Sequence, residues 1–544
     1  MSKKVELLDC TLRDGAYITN SKFGVPAIKG IINKMQEAHI EIIECGWLKD
    51  KDHEVGSSFY HVPSDIEQYI LNKSSKTTYV TMIDWDRYNV DALPPYDGKS
   101  IDAIRVVFPH GKHREGIAVG EKIRAKGYKV FFQAANTLAY SNEDLINLAK
   151  CMNEFKPVSV SVVDTFGAMY ADDLERIVRL LDSELDKSIK LGFHSHNNQQ
   201  LSFALSIHFV EMLQNSNRSI VVDASLCGMG RGAGNATVEL VASYLNKKQH
   251  KNYDMDEIMD AIDMYMQGLQ AKYTWGYSTP YFISGLYQCH VNNIAYLLKN
   301  HRTNAKDMRN IISSLSQEDR RKYDYDLLEK KYIENQNRIV DDESTLNQLK
   351  QSFKDRSILL LAPGKSINLE VDKIKNFIKE KKPVVIGVNA INTAYDYDYL
   401  FFVNTARYEY AAEVYSEQFR HTKKILLSNI KTQADENEII VNFNHAIKRG
   451  WEHFDNAVIC CLRLMYKLQV NDIILAGFDG FKDKYNESYA DTSLPSLNPG
   501  NKWNELNEEI KDIFSDFILS AKNQMKITFL TDSIFNVEKY NMDI

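Results

Sequence analysis

The chain has 544 residues, with 66 lysines and arginines against 73 aspartates and glutamates and a formal net charge of −7. This length exceeds one ordinary domain and predicts two hydrophobic cores. The negative charge argues against binding to nucleic acid. No apolar stretch reaches the ~20 residues that span a bilayer. Seven cysteines without Cys-x-x-Cys spacing, behind an N-terminus without an apolar signal region, predict a reduced protein of the cytoplasm.

The N-terminal half of the chain alternates short apolar runs with amphipathic helical stretches. Eight runs predict strands: residues 5–10, 40–45, 78–83, 103–108, 129–133, 159–164, 190–194 and 220–226. Alternation of strands and helices predicts a parallel sheet. Eight such units in about 250 residues is the size of a (β/α)₈ TIM barrel, whose active sites lie at the C-terminal ends of the strands.

Two histidines and an aspartate follow the ends of predicted strands. His194 and His196 end the run 189–196, and because strand side chains repeat with period two, both imidazoles point to one face. Asp14 lies just beyond the first strand and can add a carboxylate oxygen. Two imidazoles and one carboxylate with open positions suit a catalytic divalent metal. A His-x-His pair alone is also compatible with buried histidines that bond to backbone.

Three motifs strengthen the metal interpretation. They are Thr11-Leu12-Arg13-Asp14-Gly15, His194-Ser195-His196, and a segment from Asp223 to the Gly234-Asn235-Ala236 triplet. In order and approximate spacing they resemble the TIM-barrel aldolase and lyase superfamily. Residues 1–300 resemble most closely the pyruvate-dependent 4-hydroxy-2-oxovalerate aldolases, with HMG-CoA lyase and isopropylmalate synthase as more distant relatives.

The resemblance implies a carbon–carbon lyase that acts on a 2-oxoacid such as pyruvate and an aldehyde. It also implies a divalent metal, with Mn²⁺ preferred and Mg²⁺, Zn²⁺, Fe²⁺ or Co²⁺ as alternatives. Asp14, His194 and His196 become metal ligands, and Asn235 matches a position that ligates or faces the metal, the alternative being a helix N-cap. Arg13 matches the arginine that supports the enolate oxygen, the alternative being a salt bridge at the barrel mouth.

The proton-transfer group departs from the pattern of the aldolases. These relatives carry histidine three residues after the metal aspartate, where this chain has Tyr17. A phenol with a pKa near 10 is a poor base at neutral pH unless its surroundings lower the pKa. Tyr281 matches a second family tyrosine in a Gly-Tyr-x-x-x-Tyr pattern. Either tyrosine is a catalytic candidate, and either could only position substrate or pack.

The sequence changes character after the barrel. Residues 301–355 are rich in Lys, Glu, Asp and Asn and predict a charged helical connector. From residue 356 to 544, seven short apolar runs separated by helical segments predict a doubly wound, Rossmann-like α/β domain.

The first strand of this second domain leads into Gly364, Lys365 and Ser366 and then a helix, where a phosphate could bind. Leu359 stands where a P-loop requires glycine, so the P-loop interpretation fails. The turn, together with Gly387-Val388-Asn389 and the segment 474–480, faintly resembles the nucleotide-sugar-binding core of bacterial sialyltransferases, the alternative being a tight turn that binds no ligand. Residues 481–544 contain no histidine to match a transferase catalytic residue, so nucleotide or nucleotide-sugar binding is the prediction.

The favoured hypothesis is a metal-dependent aldolase that joins or splits a 2-oxoacid and an aldehyde. The aldehyde is open, including a sugar or a nucleotide-linked sugar of surface polysaccharide synthesis, and a homo-oligomer is expected. One alternative is a nucleotide-sugar transferase that acts through the C-terminal domain. The other is a Claisen-type acyl-CoA lyase or synthase, which the tyrosine disfavours because such relatives usually carry glutamine at position 17.

Overall fold

The structure is a computed structural model that describes residues 5–301, 303–336, 339–430, 432, 436–482, 485–495, 502–521 and 524–536. Its residues form two compact units. The first contains 5–294 together with 317–323, and the second contains the other described residues from 295 onward.

The first unit is built on a parallel sheet that closes into a barrel. Its strands are β1 (Val5–Asp9), β2 (Ile42–Leu48), β3 (Phe59–Tyr60), β4 (Thr78–Asp84), β5 (Ala103–Phe108), β6 (Lys129–Ala134), β7 (Ser159–Asp164), β8 (Lys190–Ser195) and β9 (Ile220–Ala224). The order is β1-β9-β8-β7-β6-β5-β4-β2-β3, and β1 also pairs with β2, which closes a ring of eight strands beside the short β3. The predicted TIM barrel is therefore confirmed.

Helices surround these strands. Those that lie within or begin in the first unit are α1 (Thr11–Asp14), α2 (Ala16–Thr19), α3 (Val25–Glu37), α4 (Ser64–Glu67), α5 (His113–Ala125), α6 (Asn142–Phe155), α7 (Ala171–Glu184), α8 (Ser202–Met212), α9 (Val238–Gln249), α10 (Met255–Ala261), α11 (Gln267–Lys272), α12 (Thr279–Leu286) and α13 (Val291–Asn300), and α15 (Gln317–Arg321) also belongs to it.

Helix α6 shows how the sequence sets such an element. Ser141 and Asp144 form a capping box, in which each side chain accepts a hydrogen bond from the other residue's backbone N–H. Leu145, Leu148 and Met152 then recur at helical spacing and are fully buried. Burial of each such side chain contributes about 1.5–3 kcal/mol.

The barrel interior carries charge as well as apolar side chains. Arg105 on β5 is 1% exposed and forms ion pairs with Glu44 on β2 and Asp223 on β9. Neither β2 nor β9 is next to β5 in the sheet, so the three side chains meet across the interior. A buried ionic network of this kind persists only when its charges pair with one another.

The second unit has an open parallel sheet. Its strands are β10 (Ile358–Leu361), β11 (Val384–Val388), β12 (Tyr399–Phe402), β13 (Lys423–Leu427), β14 (Glu438–Val441), β15 (Asp472–Ala476) and β16 (Lys526–Phe529), in the order β14-β13-β12-β11-β10-β15-β16. The order reverses between β10 and β15, as in doubly wound folds, which confirms the predicted Rossmann-like class.

The remaining helices belong to this unit. They are α14 (Ala305–Ser314), α16 (Tyr325–Gln336), α17 (Glu343–Phe353), α18 (Ser366–Leu369), α19 (Val371–Lys381), α20 (Thr405–Val414), α21 (Ser416–His421), α22 (Ala457–Lys467) and α23 (Trp503–Ala521). The stretch 301–355, predicted as a connector, contains α14 to α17, of which α15 clusters with the barrel and the others with the second unit. Of the helices described, none is long and apolar enough to cross a membrane.

Candidate metal centre

Asp14, His194 and His196 meet at the C-terminal end of the barrel. Asp14 ends the short helix α1 that follows β1, while His194 lies on β8 and His196 follows that strand. All three residues are buried, and one ligand atom of each lies within 4.8 Å of the others. The sequence prediction that these side chains converge therefore agrees with the geometry.

Each histidine has an oxygen atom close behind its Nδ1 atom. The Nδ1 atom of His196 donates to the backbone oxygen of Asp164 over 3.0 Å, and its Nε2 atom lies 3.4 Å from Asp14 Oδ2. The Nδ1 atom of His194 lies 3.1 Å from Asp223 Oδ2. A carboxylate or carbonyl behind a ligating imidazole fixes both the tautomer and the ring orientation.

Asn235 lies beside this cluster, on the loop that follows β9. Its Nδ2 donates to Asp14 Oδ2 over 2.7 Å, and its buried Oδ1 has no hydrogen-bond partner. Helix α9 begins after Thr237, so Asn235 is not the N-cap that the sequence left open. The loop approaches closely because position 230 is glycine: a Cβ on Gly230 would lie 2.6 Å from Asp14 Oδ2.

Arg13 keeps the aspartate ionised. Its Nη1 donates to Asp14 Oδ1 over 2.6 Å and its Nε to Glu44 Oε2 over 2.7 Å, while Nη2 lies 3.5 Å from His194 Nε2. Burial alone would raise the pKa of Asp14, but Arg13 and the two histidines outweigh it and hold this pKa well below its usual range. Burial also lowers the pKa of His194, against the opposing effect of Asp223.

The donor set fits a divalent cation. An ionised carboxylate and neutral imidazoles are the forms in which these groups bind metal. The buried His196 Nε2 and Asn235 Oδ1 have no hydrogen-bond partner in the protein, and such atoms are costly unless something else satisfies them.

The two candidate tyrosines occupy different places. Tyr17 lines the cavity above the metal centre, with its ring 4.8 Å from the Arg231 guanidinium and in edge contact with Trp47. Desolvation of the phenol outweighs the field of Arg231 and raises the pKa of Tyr17 above its usual value. Tyr281 lies on α12 and is absent from the described residues that line this cavity.

The cavity also contains residues that sequence reasoning missed. Arg231 follows Gly230, His290 lies just before α13, and α15 brings Arg321 and the adjoining Tyr323 to the same opening. The rings of His290 and Tyr323 contact each other in a tilted arrangement with their centroids 4.6 Å apart, and burial lowers the pKa of His290 to about 3. The position of Arg231 in the segment 228–234, where every second residue is glycine, was the available sequence signal, whereas the residues of α15 carried none.

In the second unit, the predicted phosphate position contains a carboxylate. The backbone N–H of Ser366 donates to Asp479 Oδ2 over 2.8 Å, and its hydroxyl donates to Asp479 Oδ1 over 2.5 Å. Gly364 is required for this approach, because a Cβ there would lie 2.6 Å from Asp479. Lys365 is the N-cap residue of the four-residue helix α18.

Comparison with known proteins found one matching family model and several similar proteins. Residues 113–264 match the HMGL-like family model. The 4-hydroxy-2-oxovalerate aldolase of Pseudoalteromonas translucida is 27% identical over 275 residues, which cover 48% of this chain and 75% of that protein. Oxaloacetate decarboxylase of Mycobacterium tuberculosis is 26% identical over 270 residues, covering 48% and 76%. The N-terminal domain of a Bacteroides vulgatus protein described as an aldolase is 26% identical with a TM-score of 0.47, covering 53% of this chain and 95% of that one.

The family model and the relatives support the TIM-barrel aldolase superfamily as the group that the N-terminal barrel resembles. The chain is an enzyme of the carbon–carbon lyase class, with a candidate divalent-metal site formed by an aspartate and two histidines.

Proposed function

We propose that the barrel is a divalent-metal-dependent aldolase that forms or cleaves a carbon–carbon bond between pyruvate, or a related 2-oxoacid, and an aldehyde. The observation that carries this proposal is the convergence of Asp14, His194 and His196 on a cavity that Arg13 also lines, with His196 Nε2 lacking a hydrogen-bond partner. The names of the relatives support the same chemistry.

Asp14, His194 and His196 would hold the metal, with Asn235 Oδ1 beside them. Mn²⁺ suits this mixture of imidazole nitrogen and carboxylate oxygen. A divalent ion held there would act as a Lewis acid on the oxygens of the 2-oxoacid.

Arg13 is placed to stabilise negative charge on the enolate oxygen. Two of its nitrogens are fixed by Asp14 and Glu44, which holds the planar guanidinium in one orientation. A group fixed before the reaction needs no reorganisation in the transition state, and removal of one such preorganised donor lowers kcat about 10²–10³-fold.

Tyr17 is placed to hold the proton on the substrate hydroxyl. Because the pKa of Tyr17 is raised, its phenol stays protonated at neutral pH. In the direction of addition it donates this proton to the aldehyde oxygen as the carbon–carbon bond forms. In cleavage the phenolate, which is the form left after addition, would take the proton from the hydroxyl, and the raised pKa makes this form scarce at neutral pH.

The second domain is proposed to bind a nucleotide or nucleotide sugar, in support of surface polysaccharide synthesis. A crevice of about 100 Å³ lies at the point where the strand order reverses, which is the usual ligand site of such folds. Arg407 lines it, is 6% exposed, and has an Nη1 atom without a hydrogen-bond partner. The crevice has room for a group of phosphate size, so a whole nucleotide requires it to widen.

Titration calorimetry of the full chain with uridine and cytidine nucleotides tests this role. We expect binding that Arg407→Gln weakens, with Arg420→Gln on the same domain as the control. If Arg407→Gln bound the nucleotides as tightly as Arg420→Gln does, the proposed nucleotide site would be wrong.

The decisive test of the barrel is an activity screen. Purified full-length protein is incubated with pyruvate, a panel of aldehydes and Mn²⁺, and loss of pyruvate is measured before and after removal of metal with a chelator. We expect metal-dependent loss that requires an aldehyde. Metal binding without pyruvate consumption by any aldehyde would refute the aldolase assignment.

A further inference from the structure

The cavity above the metal centre is far larger than a 2-oxoacid requires. Its volume is about 960 Å³, and it extends from His194 and His196 to the opening formed by Arg231, Arg321 and Tyr323. The second substrate therefore has ample room, and the groups at the opening decide which one fits.

Arg231 stands at this opening with only neutral partners. Its Nη2 donates to Asn292 Oδ1 over 2.7 Å and lies 3.2 Å from His290 Nε2. Its guanidinium also lies 4.8 Å from the centre of the Tyr17 ring. None of these groups neutralises the charge of the guanidinium.

Arg321 presents a second such cation from helix α15. Its Nη2 donates to Gln288 Oε1 over 3.1 Å, and its Nε is buried without a hydrogen-bond partner. Among the described residues, no carboxylate oxygen lies within 4.0 Å of a guanidinium nitrogen of Arg231 or Arg321, so neither arginine forms an ion pair.

The other charges at the opening are already compensated. Glu318 pairs with Lys322 over 2.5 Å, and Asp84 pairs with Lys49 over 3.0 Å. Asp86 lies 3.9 Å from Arg87. Two uncompensated guanidinium groups consequently remain facing a cavity whose nearby carboxylates have partners of their own.

We propose that the aldehyde substrate carries a phosphate group, which Arg231 and Arg321 bind at the mouth of the barrel. This inference rests on the proposed aldolase function. A dianion matches two cations, and the planar fork of a guanidinium binds phosphate oxygens in pairs. Arg231 follows Gly230, which packs against Asp14, so the phosphate-binding end of the cavity begins close to the reacting end.

The phosphate takes no part in the bond changes. In the direction of addition, C3 of the pyruvate enolate bonds to the aldehyde carbon, and the aldehyde oxygen takes a proton to become a hydroxyl. The proton lost from the pyruvate methyl group balances the one gained, and the phosphate ester stays intact. The two arginines supply binding and selectivity.

Binding of glycerol 3-phosphate, compared with glycerol, tests the site without turnover. Calorimetry with the full chain and Mn²⁺ should show binding of glycerol 3-phosphate and no binding of glycerol. Arg231→Gln and Arg321→Gln should each weaken this binding ~10-fold or more, since each substitution removes a charged fork. Lys322→Gln is the matched control, because Glu318 already neutralises that cation, and it should bind as the wild type does. Binding that is absent, or unchanged in both arginine variants, would overturn the inference.

Turnover separates the inference from the aldolase function on which it rests. We expect kcat/KM for glyceraldehyde 3-phosphate to exceed that for glyceraldehyde by ~10²-fold, and this preference to fall ~10-fold in each arginine variant. Equal kcat/KM for both aldehydes, or a preference for an aldehyde that carries a carboxylate, would overturn the inference that the substrate carries a phosphate. The proposed aldolase function would stand. If Arg231→Gln instead raised the KM for pyruvate with both aldehydes, Arg231 would be a binding residue for the 2-oxoacid. Failure of every aldehyde would overturn the aldolase itself.

Discussion

The two units of this protein each place an aspartate against a glycine at the carboxyl edge of a parallel sheet. Asp14 approaches Gly230 in the barrel, and Asp479 approaches Gly364 in the second domain, so that an added Cβ would lie 2.6 Å from either carboxylate. The surroundings of the two carboxylates differ. Arg13 and two histidines lower the pKa of Asp14, whereas burial raises the pKa of Asp479 against its bonds to Ser366.

This difference separates a candidate reaction centre from a structural contact. The carboxylate of Asp14 is held ionised beside unpaired atoms of His196 and Asn235. That of Asp479 accepts hydrogen bonds from the backbone and hydroxyl of Ser366, which satisfies the start of α18 from within the protein. A strand-end aspartate is therefore suited to metal only where cations keep it charged and neighbouring donors remain free.

The largest expected effect comes from removal of a ligand. His196→Ala should lower activity by about 10³-fold or more, since Lewis-acid stabilisation is worth several kcal/mol. Metal content, measured by mass spectrometry, should fall in parallel while circular dichroism stays unchanged. His208→Ala, on the outer helix α8, is the control. Full metal occupancy in the His196 variant would contradict the contrast between the Asp14 centre and the Asp479 contact, because His196 would then be a structural residue.

Arg13→Lys should have the next largest effect. Lysine keeps the charge but loses the planar fork that bonds Asp14 and Glu44 together, so kcat should fall about 10²-fold or more with a smaller change in KM. Steady-state kinetics with pyruvate as the varied substrate measures both constants, and Arg179→Lys on the surface serves as the control. A change confined to KM would mean that Arg13 only holds the substrate carboxylate.

Tyr17→Phe should slow formation and cleavage of the carbon–carbon bond by ~10²-fold, the usual size of a general acid–base contribution. Exchange of the pyruvate methyl protons, followed by NMR in D₂O, should continue if another group performs that step. Tyr17→His restores the residue of the aldolase relatives and should recover part of the rate. Full activity of the phenylalanine variant would show that Tyr17 only packs.

The smallest effect on catalysis is expected in the second domain. Asp479→Ala removes two hydrogen bonds from Ser366 and should lower the free energy of unfolding of that domain by about 1–3 kcal/mol. Pyruvate turnover by the barrel should stay at the wild-type level. Thermal unfolding and the aldol assay measure the two quantities, with Asp396→Ala, an exposed site, as the control. If Asp479→Ala lost turnover while its stability stayed unchanged, Asp479 would have a role in catalysis and not a structural one.

Much of the fold could be predicted because local periodicity specifies it. All eight barrel strands and all seven strands of the second domain lie where apolar runs predicted them, although the run 40–45 forms the longer strand Ile42–Leu48. The pair His194 and His196 was readable for the same reason, since a period of two fixes their common face. Tyr281 was proposed by motif alone, and its place on α12 outside the cavity lining could not be read from spacing.

The sequence by itself determined the strands of the two sheets and the common face of His194 and His196, since these depend on neighbours within a few residues. Asp14 joined the candidate ligand set, and Tyr17 stood out as a departure, through the motif resemblance. Only the tertiary structure decided which charges compensate one another. Arg105 joins Glu44 and Asp223 across the barrel interior, and α15 brings Arg321 to the opening that also contains Arg231. These groups are far apart along the chain, and electrostatic interaction depends on their distance in space.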